Sequence, residues 1–134
     1  KQIARKLPMR MLGRVVGTPD EDAEWLVSRG DSMIANSDPD FTDYVIDKVD
    51  TDEYRFLPFR SPAGKEIYDY GEKQKRLRED HDMGDVMSML LQPNKQGDKI
   101  SDLEFKNFFA LMVAAGNDTT RYSMASSIHA LANN

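Results

Sequence analysis

Apolar residues recur along this chain every three to four positions, and no stretch alternates apolar with polar over a strand's length, so the pattern predicts helices packed on helices. After Pro8, a favourable first-turn residue, Met11, Leu12, Val15 and Val16 fall on one face of a helix that Gly17 closes. Thr18, Pro19 and Glu21 then read as an N-cap, a first-turn proline and a capping-box acid. They open a second helix from Pro19 to about Asn36, with Ala23, Leu26, Val27, Met33 and Ile34 on its buried face. Residues 41–60 are acidic, aromatic and broken by Pro58, which predicts a long connection with one short helix at most.

Ser61 and Pro62 open a third helix that runs to about Glu79, where Glu72 with Arg76 and Lys75 with Glu79 set opposite charges one turn apart. Lys73, Lys75, Arg76 and Arg78 stand among acids and read as a solvated helix face rather than a nucleic-acid patch. Asp85 to Leu91 is a short apolar helix, and residues 93–98 form a turn. The last element dominates. Ser101 and Glu104 form a capping box, and no proline interrupts the pattern from Asp102 to about Ala132, which predicts a rod of about 45 Å. Its first half is apolar around most of its circumference, which predicts burial on all sides.

Composition narrows the partners. The chain has 134 residues, 40% hydrophobic and 31% charged, the balance of a single globular domain. With 18 Lys and Arg against 23 Asp and Glu, the net charge of −5 disfavours binding along a phosphate backbone. The absence of cysteine removes disulfides, thiolate zinc sites, cysteine nucleophiles and any haem held by a thiolate of this chain. No apolar run approaches the roughly 20 residues that span a bilayer, which predicts a protein of the cytoplasm. A calcium loop over Asp38, Asp40 and Thr42 fails, since Asp43 and Val49 stand where glycine and glutamate are needed.

One run contradicts the rod that carries it. Residues 114–121, A-A-G-N-D-T-T-R, place a glycine and several indifferent helix formers mid-helix, and such local conflicts mark functional sites. At 100° per residue, Met112, Ala115, Gly116, Thr119 and Ser123 share a face. The small residues there would leave a notch, with Asp118 at its edge. A plainer account is equally available: Gly116 admits a neighbouring helix, the threonines bond back to the backbone, and Asp118 pairs with Arg121.

This run resembles the (A/G)-G-x-(D/E)-T-T-R signature in the central helix of cytochrome P450, the haem-thiolate monooxygenases, in their soluble bacterial form. Upstream, residues 84–91 (G-D-V-M-S-M-L-L) are similar to the family's D-D-(L/V/I)-x-S-x-L-L segment. Residues 100–104 (I-S-D-L-E) resemble its entry to the central helix, and residues 12–22 its L-L-G-x-P-x-x-D junction. The resemblance implies an all-α fragment of that fold, from about its E helix to its I helix, with residues 1–134 forming part of a single helical domain. The N-terminal part and the C-terminal haem-ligand part would lie outside it.

It further implies an oxidoreductase that hydroxylates a hydrophobic molecule such as a terpenoid, a steroid or an alkyl chain, using dioxygen and electrons from a ferredoxin-type partner. Thr119 and Asp118 would be catalytic, the first as an alcohol that helps deliver protons to dioxygen, the second on the proton route from solvent. Ala115, Gly116 and Thr119 would face the haem, while Leu111, Met112, Ala115 and Met33 would line the substrate pocket, the second helix forming a mobile roof. The family's F-x-x-G-x-H-x-C-x-G loop and E-x-x-R pair are missing from this chain, so the axial cysteine lies elsewhere and the chain alone is expected to be inactive. The rival reading is a non-catalytic helical bundle that binds a partner helix or an apolar ligand through Met83, Met87, Met89 and Met112.

Overall fold

The computed structural model describes residues 2–43, 45, 48, 50 and 52–133. Five helices form in the order α1 (Gln2–Val16), α2 (Ala23–Ile34), α3 (Pro62–Glu79), α4 (Val86–Leu91) and α5 (Asp102–Ala132), with no strand among the described residues. Helix α5 is the axis: α1, α2 and α3 all pack on it, α3 also holds α2 and α4, and α1 holds α2. Met9, Leu26, Val27, Met33, Ile67, Met87, Phe105, Phe109 and Val113 meet in one core and are nearly inaccessible to water. No helix is long and apolar enough to cross a membrane among the described residues.

Local chemistry explains most helix ends. Gly17 takes φ +90° after α1, and its N–H and that of Thr18 both donate to the Gly13 carbonyl, closing the last turn. Ser61 accepts from the Gly64 N–H at 3.2 Å and Asp85 from the Ser88 N–H at 2.8 Å, capping α3 and α4. The capping box at Ser101 and Glu104 is present, and α5 runs 31 residues, about 46 Å. Three aromatic rings brace the centre, Trp25 on Tyr70 at 5.2 Å and Tyr70 on Phe109 at 5.6 Å between centroids. The Tyr70 hydroxyl donates to Asp22 at 2.7 Å.

The structure departs from the sequence pattern at several points. Helix α1 runs through Pro8 instead of starting there, although the ring forfeits a bond to the carbonyl four residues back and crowds it; residues on both sides favour helix. Pro19 and the three acids after it form a 3₁₀ turn at Asp20–Asp22, so α2 starts at Ala23 without a side-chain cap and ends at Ile34. Two further 3₁₀ turns, Asp52–Tyr54 and Pro58–Arg60, punctuate the long connection. Arg78 is not on a solvated face: it is 4% exposed and bound to Asp85. Helix α5 is not buried on all sides either, since its three neighbours cover one side and leave Leu103 and Leu111 exposed.

Candidate functional site

Turning along α5 from its packed side to its open side separates the expected site residues into two groups. Val113 and Asn117 face α2 and are buried, while Leu111, Ala115 and Thr119, spaced four apart, form an exposed strip. The strip is about 12 Å long and aliphatic apart from the Thr119 hydroxyl, which donates to the Ala115 carbonyl at 2.8 Å. Asp118 is half-buried at its edge, paired through Oδ1 with Arg121.

Gly116 and Met112 turn the other way, toward α1. A Cβ on Gly116 would lie 2.4 Å from Leu12 Cδ2, so the missing side chain lets α1 and α5 approach. Met112 borders a narrow cleft with Met9, Leu12, Val16 and Leu26, which leaves only about 10 Å³ of free space. The notch expected beside Gly116 is therefore filled by a neighbouring leucine. Met33 is fully buried in the core, so it does not share the open face with Leu111 and Thr119. Much of the plainer account is seen as well: the close helix approach at Gly116, the bond of Thr119, though not of Thr120, to the backbone, and the Asp118–Arg121 pair.

Pattern reading missed the polar cluster between α2 and α5. Asn117, 1% exposed, donates through Nδ2 to Asp31 Oδ1 at 2.7 Å and to the Val27 carbonyl at 3.3 Å. Arg121 Nη1 meets the Asp31 carboxylate at 3.1 Å, while Nη2 holds Asp118, so one guanidinium bridges two acids on two helices. Burial disfavours the Arg121 charge, but the bond to Asp31 and the nearness of both carboxylates outweigh it and hold its pKa above the ordinary value. The signal was present but masked. Asp31 lies four residues after Val27 on the buried stripe, where an acid needs a partner.

The methionines do not form one groove. Met87 is buried and Met112 half-buried, whereas Met83 and Met89 are exposed. No group of three His, Cys, Asp or Glu is placed to hold a metal among the described residues. Of the positions weighed for calcium, Val49 lies outside the described residues.

No family model matches the chain. A steroid C26-monooxygenase of Mycolicibacterium smegmatis is 28% identical over 134 residues, the whole of this chain and 28% of that protein. A methyl-branched lipid omega-hydroxylase of Mycobacterium tuberculosis is 27% identical over 130 residues, 97% of this chain and 28% of that protein. The chain thus spans little more than a quarter of the length of the curated relatives it matches. Among solved structures, Mycobacterium marinum cytochrome P450 CYP268A2 in complex with pseudoionone superposes with a TM-score of 0.72 and 26% identity, covering 91% of this chain and 27% of that one. The helix order, the run at residues 114–121 and these likenesses agree: in sequence and fold the chain is similar to a stretch of the helical core of cytochrome P450 enzymes.

Proposed function

We propose that this chain supplies one wall of the haem and substrate pocket of a monooxygenase that hydroxylates a hydrophobic molecule, of the steroid or branched-lipid class on which its relatives are named as acting. The observation that carries the reading is the strip Leu111–Ala115–Thr119. It is an aliphatic face with one hydroxyl, left open on the side of α5 turned away from α2. These residues fit one side of a flat macrocycle. Ala115 is small enough for close approach, and Leu111, 62% exposed, supplies apolar contact to an adjoining substrate. Gly116 serves the packing of α1 instead. The axial thiolate has to come from polypeptide outside this chain, which contains no cysteine.

Haem supplies the oxygen activation when bound; the residues here exclude water and manage protons. Leu111 and Ala115 keep the pocket wall dry. Thr119 presents a hydroxyl whose proton is parked on the Ala115 carbonyl, so it accepts from one side while remaining free to turn. Asp118 takes protons arriving from solvent at its half-buried carboxylate and passes them toward that hydroxyl. Dioxygen and a ferredoxin-type electron donor complete the reaction, in the cytoplasm. The chain alone is inactive in this reading.

The test is Thr119→Ala in the complete enzyme. Product formation per electron pair consumed is expected to fall, with the missing electrons recovered as hydrogen peroxide. Unchanged coupling would refute a proton role for Thr119.

A further inference from the structure

We infer that Tyr70 and Trp25 form a relay that carries oxidising equivalents from the haem side of α5 toward the surface, with Asp22 as the base that takes the phenol proton. The inference rests on the pocket-wall reading above, which supplies the oxidant: the haem-derived oxidising power left unspent when no substrate is bound.

Three rings stand in contact between the core and the surface. Phe109 is buried on α5, within about 9 Å of helix rise of Leu111 and Ala115 on the open strip. Tyr70 stacks on Phe109 at 5.6 Å between centroids, and Trp25, the one tryptophan of the chain, lies 5.2 Å from Tyr70 and is 37% exposed. Electron tunnelling falls off steeply with distance, so rings in contact exchange electrons far faster than rings separated by aliphatic packing. The Phe109 ring is too hard to oxidise and serves as the medium, whereas phenol and indole rings give up electrons readily.

A phenol loses an electron easily only when its proton can leave with it. The Tyr70 hydroxyl donates to Asp22 Oδ2 at 2.7 Å, so a carboxylate already stands where that proton has to go. Burial, then the bond to Asp22 and its charge, keep the phenol protonated against an opposing Arg78, so there is a proton to pass. The other tyrosines of α3 and α5 are placed differently. The Tyr68 hydroxyl donates to the Asn107 amide oxygen, which is no base, and Lys106 Nζ lies 5.8 Å from its ring centroid. The Arg121 guanidinium lies 5.2 Å from the ring centroid of Tyr122. A cation over a ring resists the loss of an electron from it.

The step balances at one electron and one proton. The oxidant gains an electron from Tyr70, the phenol O–H bond breaks, and the proton moves to Asp22. Trp25 then returns an electron to Tyr70 as the proton comes back from Asp22. A one-electron donor at the surface, such as a thiol, refills the indole and ends as disulfide. The rings finish as they began, and the oxidant has been reduced at the expense of the thiol.

The test uses the complete enzyme, first with an oxidant that owes nothing to the haem. Flash excitation of tris(bipyridine)ruthenium, with persulfate as electron acceptor, makes a one-electron oxidant in solution, and electron paramagnetic resonance reads the radicals formed. A tyrosyl signal is expected that is lost in Tyr70→Phe and in Asp22→Asn, which keeps an oxygen for the phenol but no base. It should also be lost in Trp25→Phe, which keeps the stack but closes its outer end. A wild-type signal in any of the three overturns the relay. Second, the substrate-free enzyme is treated with hydrogen peroxide while the haem absorbance is followed. Tyr70→Phe and Trp25→Phe should shorten the bleaching half-life, with coupling to product unchanged when substrate is bound, and Trp25→Tyr, oxidisable again, should bleach like the wild type. Equal bleaching in all variants overturns the inference and leaves the monooxygenase reading standing. A wild-type enzyme that forms no product from steroids or branched lipids would overturn that reading, and the inference with it.

Discussion

Replacing Arg78 with methionine would remove a single side chain from which three parts of the fold hang. The Arg78 and Asp85 side chains are 1% and 10% exposed, and the guanidinium reaches both carboxylate oxygens, with Nε at 3.0 Å and Nη2 at 2.8 Å. It also donates to the Gly17 carbonyl at 2.5 Å and to the Gln74 carbonyl at 2.8 Å, so the ends of α1 and α3 and the cap of α4 share it. Arg78→Met leaves a buried carboxylate and two carbonyls without that donor, a loss of about 3–5 kcal/mol for a broken buried pair. Arg76→Met, in the exposed pair with Glu72, should stay within about 0.5 kcal/mol. Urea unfolding of the complete protein followed by circular dichroism measures both, and the Arg78→Met/Asp85→Ser double variant should cost less than Arg78→Met alone. Burial pushes the Asp85 carboxyl up, but the bonds from Arg78 and Ser88 and the Arg78 charge outweigh it and hold it below the ordinary range. A lowered folded pKa contributes stability above the unfolded value near 3.9, and that contribution is lost as pH falls through the folded value. The share of the Arg78→Met penalty that comes from this pairing should therefore be present above the unfolded value and shrink as pH falls below it. Equal costs for Arg78→Met and Arg76→Met would refute the reasoning.

Gly116→Ala gains up to about 1 kcal/mol of helix propensity but sets a methyl 2.4 Å from Leu12 Cδ2, so a net loss of about 1–2 kcal/mol is expected. In a Leu12→Ala background the same change should become neutral or favourable, and additive costs in the double-mutant cycle would show that Gly116 does not face α1. Tyr70→Phe removes the 2.7 Å bond to Asp22 inside the aromatic stack and should cost about 1 kcal/mol in urea unfolding. Burial first, then the Asp22 bond and charge, raises the Tyr70 pKa, so ultraviolet titration should show one phenol still protonated above pH 11. Because the unfolded phenol ionises near pH 10, Tyr70 contributes fully below that pH and its contribution fades as pH rises further.

The elements were legible where the chain carries its own punctuation. Ser61, Asp85 and Ser101 each begin a helix in the sequence and each accept a backbone N–H in the structure, because a cap is decided within three residues and needs no tertiary partner. Gly17 was legible for the same reason, its positive φ being a local demand. Failures came where the decision is made across the fold. Nothing near Arg78 in sequence says that the carbonyl of Gly17, 61 residues earlier, will accept from it. A basic run therefore reads as solvated until its neighbours are placed.

The site divides along the same line. The run at residues 114–121 announced a weak place in a strong helix, and the structure accounts for that weakness twice over: Gly116 yields room to Leu12, and Asn117 and Arg121 spend their polarity on Asp31. Sequence periodicity put Met112, Ala115, Gly116 and Thr119 on one face because their directions lie within about 100° of one another. The packing of α1 then cut through that arc, taking Met112 and Gly116 and leaving Ala115 and Thr119. Helical spacing fixes which residues are neighbours around a rod, whereas the side that stays open depends on where the partners sit. That is why the open strip and the α2–α5 acid bridge lie back to back on one signature.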